Sequence, residues 1–353
     1  MKTDTHFCFT VIFLLLLGFP YFITGISAKE ILFKDVNFEL CVKEHIDDNS
    51  NTITTGHLEN IEKLECNNRE IFVIEGIEYM SGLKKVSFRN NSISDISPLR
   101  VLTKLNELWL TGNFIENTDP LAELTALLVL GLGNNKIKEV KSISQLKNLT
   151  RLGIENNMVT DISPLSNLQN LQALAMSGNK VKDIKPLSKM KKLSWIWADS
   201  NNISDISPLS SMHWITHVEL GNNNISSVLP IKNLKNIVRL GLDSNSIKDA
   251  APLKNMSALK SLAISKNRLS EISFIKQLHN LTWLGASHNN ISNIEPLTSL
   301  TKLKHLLLSN NAIKDVNPLL NLKNLKHVDL SNNPVSDFSV LDPLTDSGAV
   351  VIK

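Results

Sequence analysis

Cysteine is scarce in this chain, with three in 353 residues, at positions 8, 41 and 66. A fold stapled by many disulfides is thereby excluded, and so is a cysteine-built zinc scaffold. An excess of one charge is also missing: 37 basic residues stand against 34 acidic ones, for a formal charge of +3. Such a balance gives no electrostatic pull toward nucleic acid or an anionic membrane. The arrangements that carry catalysis are absent as well. No Ser/His/Asp or Cys/His grouping recurs, no glycine-rich phosphate loop leads from a strand into a helix, and no paired carboxylates mark a closed pocket. The chain is expected to be no enzyme and to need no cofactor or bound metal.

Long apolar runs are limited to one, from Phe7 to Ile26, with Leu14 to Leu17 at its centre and small residues from Gly25 to Ala28 behind it. It reads as a secretory signal over residues 1–28, cleaved near Ala28, which would take Cys8 with it. A retained amino-terminal anchor is the competing reading, because the run approaches membrane-spanning length and Asp4 opposes Lys2. No stop-transfer helix, basic tail or wall-sorting motif follows, so secretion or periplasmic retention of a monomer is the expectation.

What the chain has in abundance is repetition. Asparagine returns every 22 residues at Asn91, Asn113, Asn135, Asn157, Asn179, Asn201, Asn223, Asn245, Asn267, Asn289, Asn311 and Asn333. Around it runs L-x-x-L-x-L-x-x-N-x-I-x-D-I-x-P-L, nearly intact from Leu149 to Asn170 and from Leu303 to Asn324. A fixed period of this size marks a solenoid, in which each coil borrows its core from its neighbours. The two-residue alternation of a strand sends Leu152 and Ile154 inward and Arg151, Gly153 and Glu155 outward. The second half of each coil holds proline and too few residues for a long helix, which predicts a single tight or 3₁₀ turn. The asparagine column is assigned to structure, as a ladder of stacked amides, and given no binding role. A carboxamide both donates and accepts, so it can satisfy backbone groups that leave the sheet, each costing about 1–3 kcal/mol if left unmet.

The predicted fold is an α/β solenoid, a horseshoe with a parallel concave sheet. Residues 29–60 form a helical cap, with one helix starting near Asp35 and a second turn after Thr54; residues 61–345 form one degenerate and twelve regular coils. Residues 346–353 close the end with an edge strand from the apolar run Ala349 to Ile352. Departures from the template at Thr118, Ser142 and Phe274 read as packing adjustments. After signal removal Cys41 and Cys66 are the remaining thiols, and an even count in an oxidising compartment favours a bridge; two buried free thiols are the alternative.

The 22-residue unit, its N-x-I-x-D-I-x-P-L half and the opening Phe33-Lys34-Asp35-Val36-Asn37-Phe38 resemble bacterial leucine-rich-repeat proteins of the internalin family. The resemblance implies a horseshoe that recognises proteins, such as a host or neighbouring-cell surface protein, on its concave face. Against that pattern, no immunoglobulin-like domain or wall anchor is expected after the repeats.

The outward strand positions carry Trp109, Trp195, Trp197 and Trp283, four of the five tryptophans. Matching central positions of other coils hold Gly131, Gly153, Ala175, Gly241, Ala263 and Gly285, which predicts a flat floor beside raised aromatic anchors. Charges of both signs share this face: Arg151 with Glu155, Asp199, His217 with Glu219, and Arg239 with Asp243. Alternating signs favour specificity over bulk attraction. Competing explanations are cross-strand packing for the indoles and a solvated surface for the charges. His305 and His327 fall on adjacent coils at an expected 5 Å or so, a spacing set by the sheet, and are read as a chance pair and not as a metal site. The expected function is non-catalytic binding of a protein on the concave face, with lectin-like stacking of a glycan on the indoles as the alternative.

Overall fold

The computed structural model describes residues 29–46 and 52–353. The apolar amino-terminal run, its expected cleavage point and Cys8 lie outside the described residues. Each coil contributes one three-residue strand, numbered in chain order from β1 (Lys63–Glu65) to β14 (Val350–Ile352), and the fourteen strands form a single parallel sheet in sequential order. Register is one coil per step: Arg151 pairs with Ala173, Leu152 with Leu174, and Gly153 with Ala175. The central residue of each of the first thirteen strands points into the core. In the coil from Leu149, the side chains of Leu149, Leu152, Ile154, Val159, Ile162, Leu165 and Leu168 are all buried. Stacked leucines and isoleucines form one continuous hydrophobic filling along the chain. No helix of the described residues is long and apolar enough to cross a membrane.

The convex side is built of short 3₁₀ turns such as Ser163–Asn167, with proline in the first turn of most of them. The template aspartate explains why the turn starts where it does. Asp161 Oδ1 accepts from the Ser163 amide at 2.7 Å, and Asp183, Asp205 and Asp315 accept in the same way from the residue two positions on. Asparagine does this work in each coil from its inner side. The Asn179 amide nitrogen donates to the carbonyls of Ile154 and Met176, while its oxygen accepts from the Val159 amide. The amides therefore bond to the backbone of the preceding coil and of their own, and not to each other. The residue just before each asparagine is left-handed, from Asn90 to Asn332, which explains Gly112 and Gly178 at that position.

Two template departures prove to be one feature. Thr118 stands where isoleucine recurs and Ser142 where proline recurs, and their hydroxyls meet at 2.6 Å in the buried interior between coils. Thr118→Val keeps the shape but leaves the Ser142 hydroxyl without its partner, so it is expected to destabilise by about 1–2 kcal/mol. Adding Ser142→Ala should restore much of the loss. Strictly additive effects in a denaturation double-mutant cycle would show that the two hydroxyls are independent.

The cap consists of α1 (Val36–Lys43) and α2 (Thr55–Leu58), starting where the sequence places them. Cys41 and Cys66 are joined in a disulfide that ties α1 to the first coil. Sequence reasoning missed two further ties. Arg69 stands where the first coil lacks its asparagine, and its guanidinium makes a bidentate bond to Glu44 just past α1. That bond holds the Glu44 carboxyl below its ordinary pKa. Asp35 uses one oxygen to accept from Asn37 and Phe38 and the other to accept from Phe72 and Val73. At the other end α3 (Asp342–Asp346) turns the chain back, and β14 pairs with β13 (His327–Asp329), as the terminal apolar run predicts.

Candidate functional site

All four tryptophans at outward strand positions lie on the concave sheet. Trp195 is 41% exposed, and Trp109, Trp197 and Trp283 are half-buried. The expected flat floor is corrected in detail. Trp109 lies down over Gly131, and Trp283 lies over Gly285, so a methyl group at either glycine would strike the indole. Glycine here makes room for a ring instead of a bare platform: Trp109 packs across to the next strand, as large side chains on a sheet favour, and Trp283 folds along its own strand. Trp195 and Trp197 stand beside each other with ring centroids 5.4 Å apart, over a sheet whose preceding strand offers Ala173 and Ala175.

Between these two aromatic groups the sheet forms a trough of about 530 Å³. Trp109 walls one end and Trp195 with Trp197 the other; Gly153, Ala173 and Ala175 lie along its floor. Arg151 and Glu155 also line it. Sequence reasoning missed Arg89, whose guanidinium sits 4.2 Å from the Trp109 ring centroid. The signal was present, because Arg89 precedes Asn91 by two positions, as Glu155 precedes Asn157. The fifth tryptophan, Trp214, is elsewhere: its ring N–H donates to the Leu193 carbonyl at 3.0 Å, tying one coil to the last.

The charged side chains that share this face are held by particular neighbours. Arg239 bonds Glu219, not Asp243. Burial pushes the Glu219 carboxyl above its ordinary pKa, against the pull of that guanidinium. Asp243 is raised by burial too, and one of its oxygens accepts from the Ser265 amide at 2.6 Å. Asp199 accepts from the Gly221 amide, so both aspartates finish backbone hydrogen bonding at the sheet margin. His217 stacks on Trp195 at 3.8 Å and 12°, away from Glu219, and burial lowers its pKa, with Arg239 adding to the effect. Arg151 and Glu155 share the trough without a salt bridge between them. The rings of His305 and His327 are 6.5 Å apart, wider than the expected spacing.

A family model described as Leucine Rich repeats (2 copies) matches residues 81–123, 125–167, 147–189, 279–319 and 301–343. Among solved structures, the internalin InlF of Listeria monocytogenes is 32% identical, covers 91% of this chain and 95% of its own, and superimposes with a TM-score of 0.87. The chain belongs to the internalin family. Internalin C2 of the same organism is 37% identical over 60% of this chain and 94% of its own, with a TM-score of 0.58. A leucine-rich-repeat protein of Leptospira interrogans, 20% identical over 84% of each chain, shares the fold at a TM-score of 0.74. A search of curated protein sequences gives no match. Membership in the internalin family supports a protein-binding role for this solenoid, a fold whose repeated surface suits recognition.

Proposed function

We propose that this internalin-family chain is an exported, non-catalytic protein that grips a partner protein across its concave sheet. In this reading residues 1–28 direct export, residues 29–60 and 346–353 cap the ends, and residues 61–345 carry the binding face. The observation that carries the proposal is the trough between Trp109 and the Trp195–Trp197 pair. Partly exposed indoles flanking a floor of small residues match the composition of interface hot spots, where aromatic anchors supply most of the energy. The mixed charges of Arg151 and Glu155 in it, with Glu219 and Arg239 further along the sheet, suit a partner chosen by complementarity.

A photoreactive residue at Ala175 should cross-link one surface protein from host or neighbouring-cell extracts, which is then purified. Trp197→Ala is expected to weaken affinity for that protein by about 2 kcal/mol, roughly 30-fold, with the melting temperature unchanged. Equal affinity of wild type and variant would reject the trough as the binding site. Binding to a glycan array that Trp197→Ala abolishes, with no protein partner captured, would favour sugar stacking instead.

A further inference from the structure

The trough contains a carboxylate that the chain itself leaves without a partner. Glu155 Oε2 is buried and makes no hydrogen bond, alone in this respect among the described residues. Its carboxylate lies over the backbone at Gly133 and Gly153, and a methyl group at either would collide with it. Those two glycines leave the space that Glu155 fills. An unpaired carboxylate in a partly covered site is destabilising; Oε2 is closed off, so the side of this carboxylate open to a donor in the trough is Oε1. The cations nearby do not fill that role. Arg89 is placed on the ring of Trp109, and Arg151 is exposed without an ion pair to Glu155.

We infer that the trough takes a short extended segment of the partner bearing one lysine or arginine, whose cation meets Glu155 between the indoles of Trp109 and Trp197. This rests on the protein-binding reading above and names the chemistry that reading leaves open. Aromatic faces attract a cation, and Arg89 over Trp109 shows that an indole of this trough already holds one. The trough runs from the strand of Trp109 to that of Trp195, four sheet intervals. At about 4.8 Å each that is about 19 Å, the length of roughly five or six extended residues. Gly153, Ala173 and Ala175 leave the floor low enough for a backbone to approach, with apolar contact on both sides of the charge.

A positional-scanning hexapeptide library probed with wild type, Glu155→Gln and Trp197→Ala tests this. Wild type should select lysine or arginine at one position. Glu155→Gln should bind the selected peptide at least tenfold more weakly, with a melting temperature equal to or above wild type, because it removes an unsatisfied charge and keeps the shape. Trp197→Ala should lose the peptide as well. Selection of acidic residues, no basic preference, no bound peptide, or equal affinity of Glu155→Gln would each overturn the inference. So would a lowered melting temperature of Glu155→Gln, which would make the carboxylate a structural group. The broader reading fails separately, when Trp197→Ala leaves the affinity for the cross-linked protein unchanged.

Discussion

Replacing Asn179 with leucine is expected to lower stability by about 4 kcal/mol, more than the loss of a single hydrogen bond. The side chain meets the Val159 amide and the carbonyls of Ile154 and Met176, and the residue is only 7% exposed. Leucine fills the volume but meets none of these groups, and each buried orphan costs about 1–3 kcal/mol. Asn179→Asp should do little better, since it keeps the acceptor and turns a carboxylate oxygen toward two carbonyls. Because a solenoid is stabilised by nearest-neighbour contacts, the damage falls on one junction and should split unfolding into two steps at that coil. Asn333→Leu, near the end and more exposed, should cost less. A urea titration in which Asn179→Leu unfolds at the wild-type midpoint would sink the backbone-satisfying role given to the column.

Asp35→Ala should cost a similar amount, about 4 kcal/mol, by uncoupling the cap from the first coil. One oxygen caps α1 through the amides of Asn37 and Phe38, and the other holds the amides of Phe72 and Val73. A carboxylate is the one short side chain that can accept on both sides at once; bonds to a charged acceptor are about twice as strong as neutral ones. Asp35→Asn must turn its NH₂ toward one of the two donor pairs, so it should be nearly as damaging. Hydrogen exchange should show the amides of residues 36–43 and 72–73 losing protection together, ahead of the coils beyond. Loss confined to α1 would mean that the cap and the first coil are not joined through this side chain.

The fold was legible to an unusual depth because its determinants recur. Inward positions such as Leu152 and Ile154 are read from a two-residue alternation, and twelve copies of one pattern average out local exceptions. The helix near Asp35, the 3₁₀ turns and the edge strand at Val350–Ile352 follow from capping, proline placement and a terminal apolar run. The placement of the indoles on the open face was equally legible, since it needs only strand register. How the outward side chains lie was not. Trp109 over Gly131, Arg239 with Glu219, and Thr118 with Ser142 are each decided by a neighbour about one coil away.

The sequence by itself determined the coil, its inward residues, its asparagine column, its cap and the side on which tryptophan stands, because these depend on steric period and backbone hydrogen-bonding need within one repeat. Only the tertiary structure decided which side chains lie flat, which charges pair and where a trough opens. Those outcomes are set by the space that a glycine or alanine 22 residues away leaves beside each rotamer, and by which donor stacks within reach. Glu155 shows the difference: its outward direction is a matter of register, while its unmet oxygen exists only once Gly133 and Gly153 are brought beneath it.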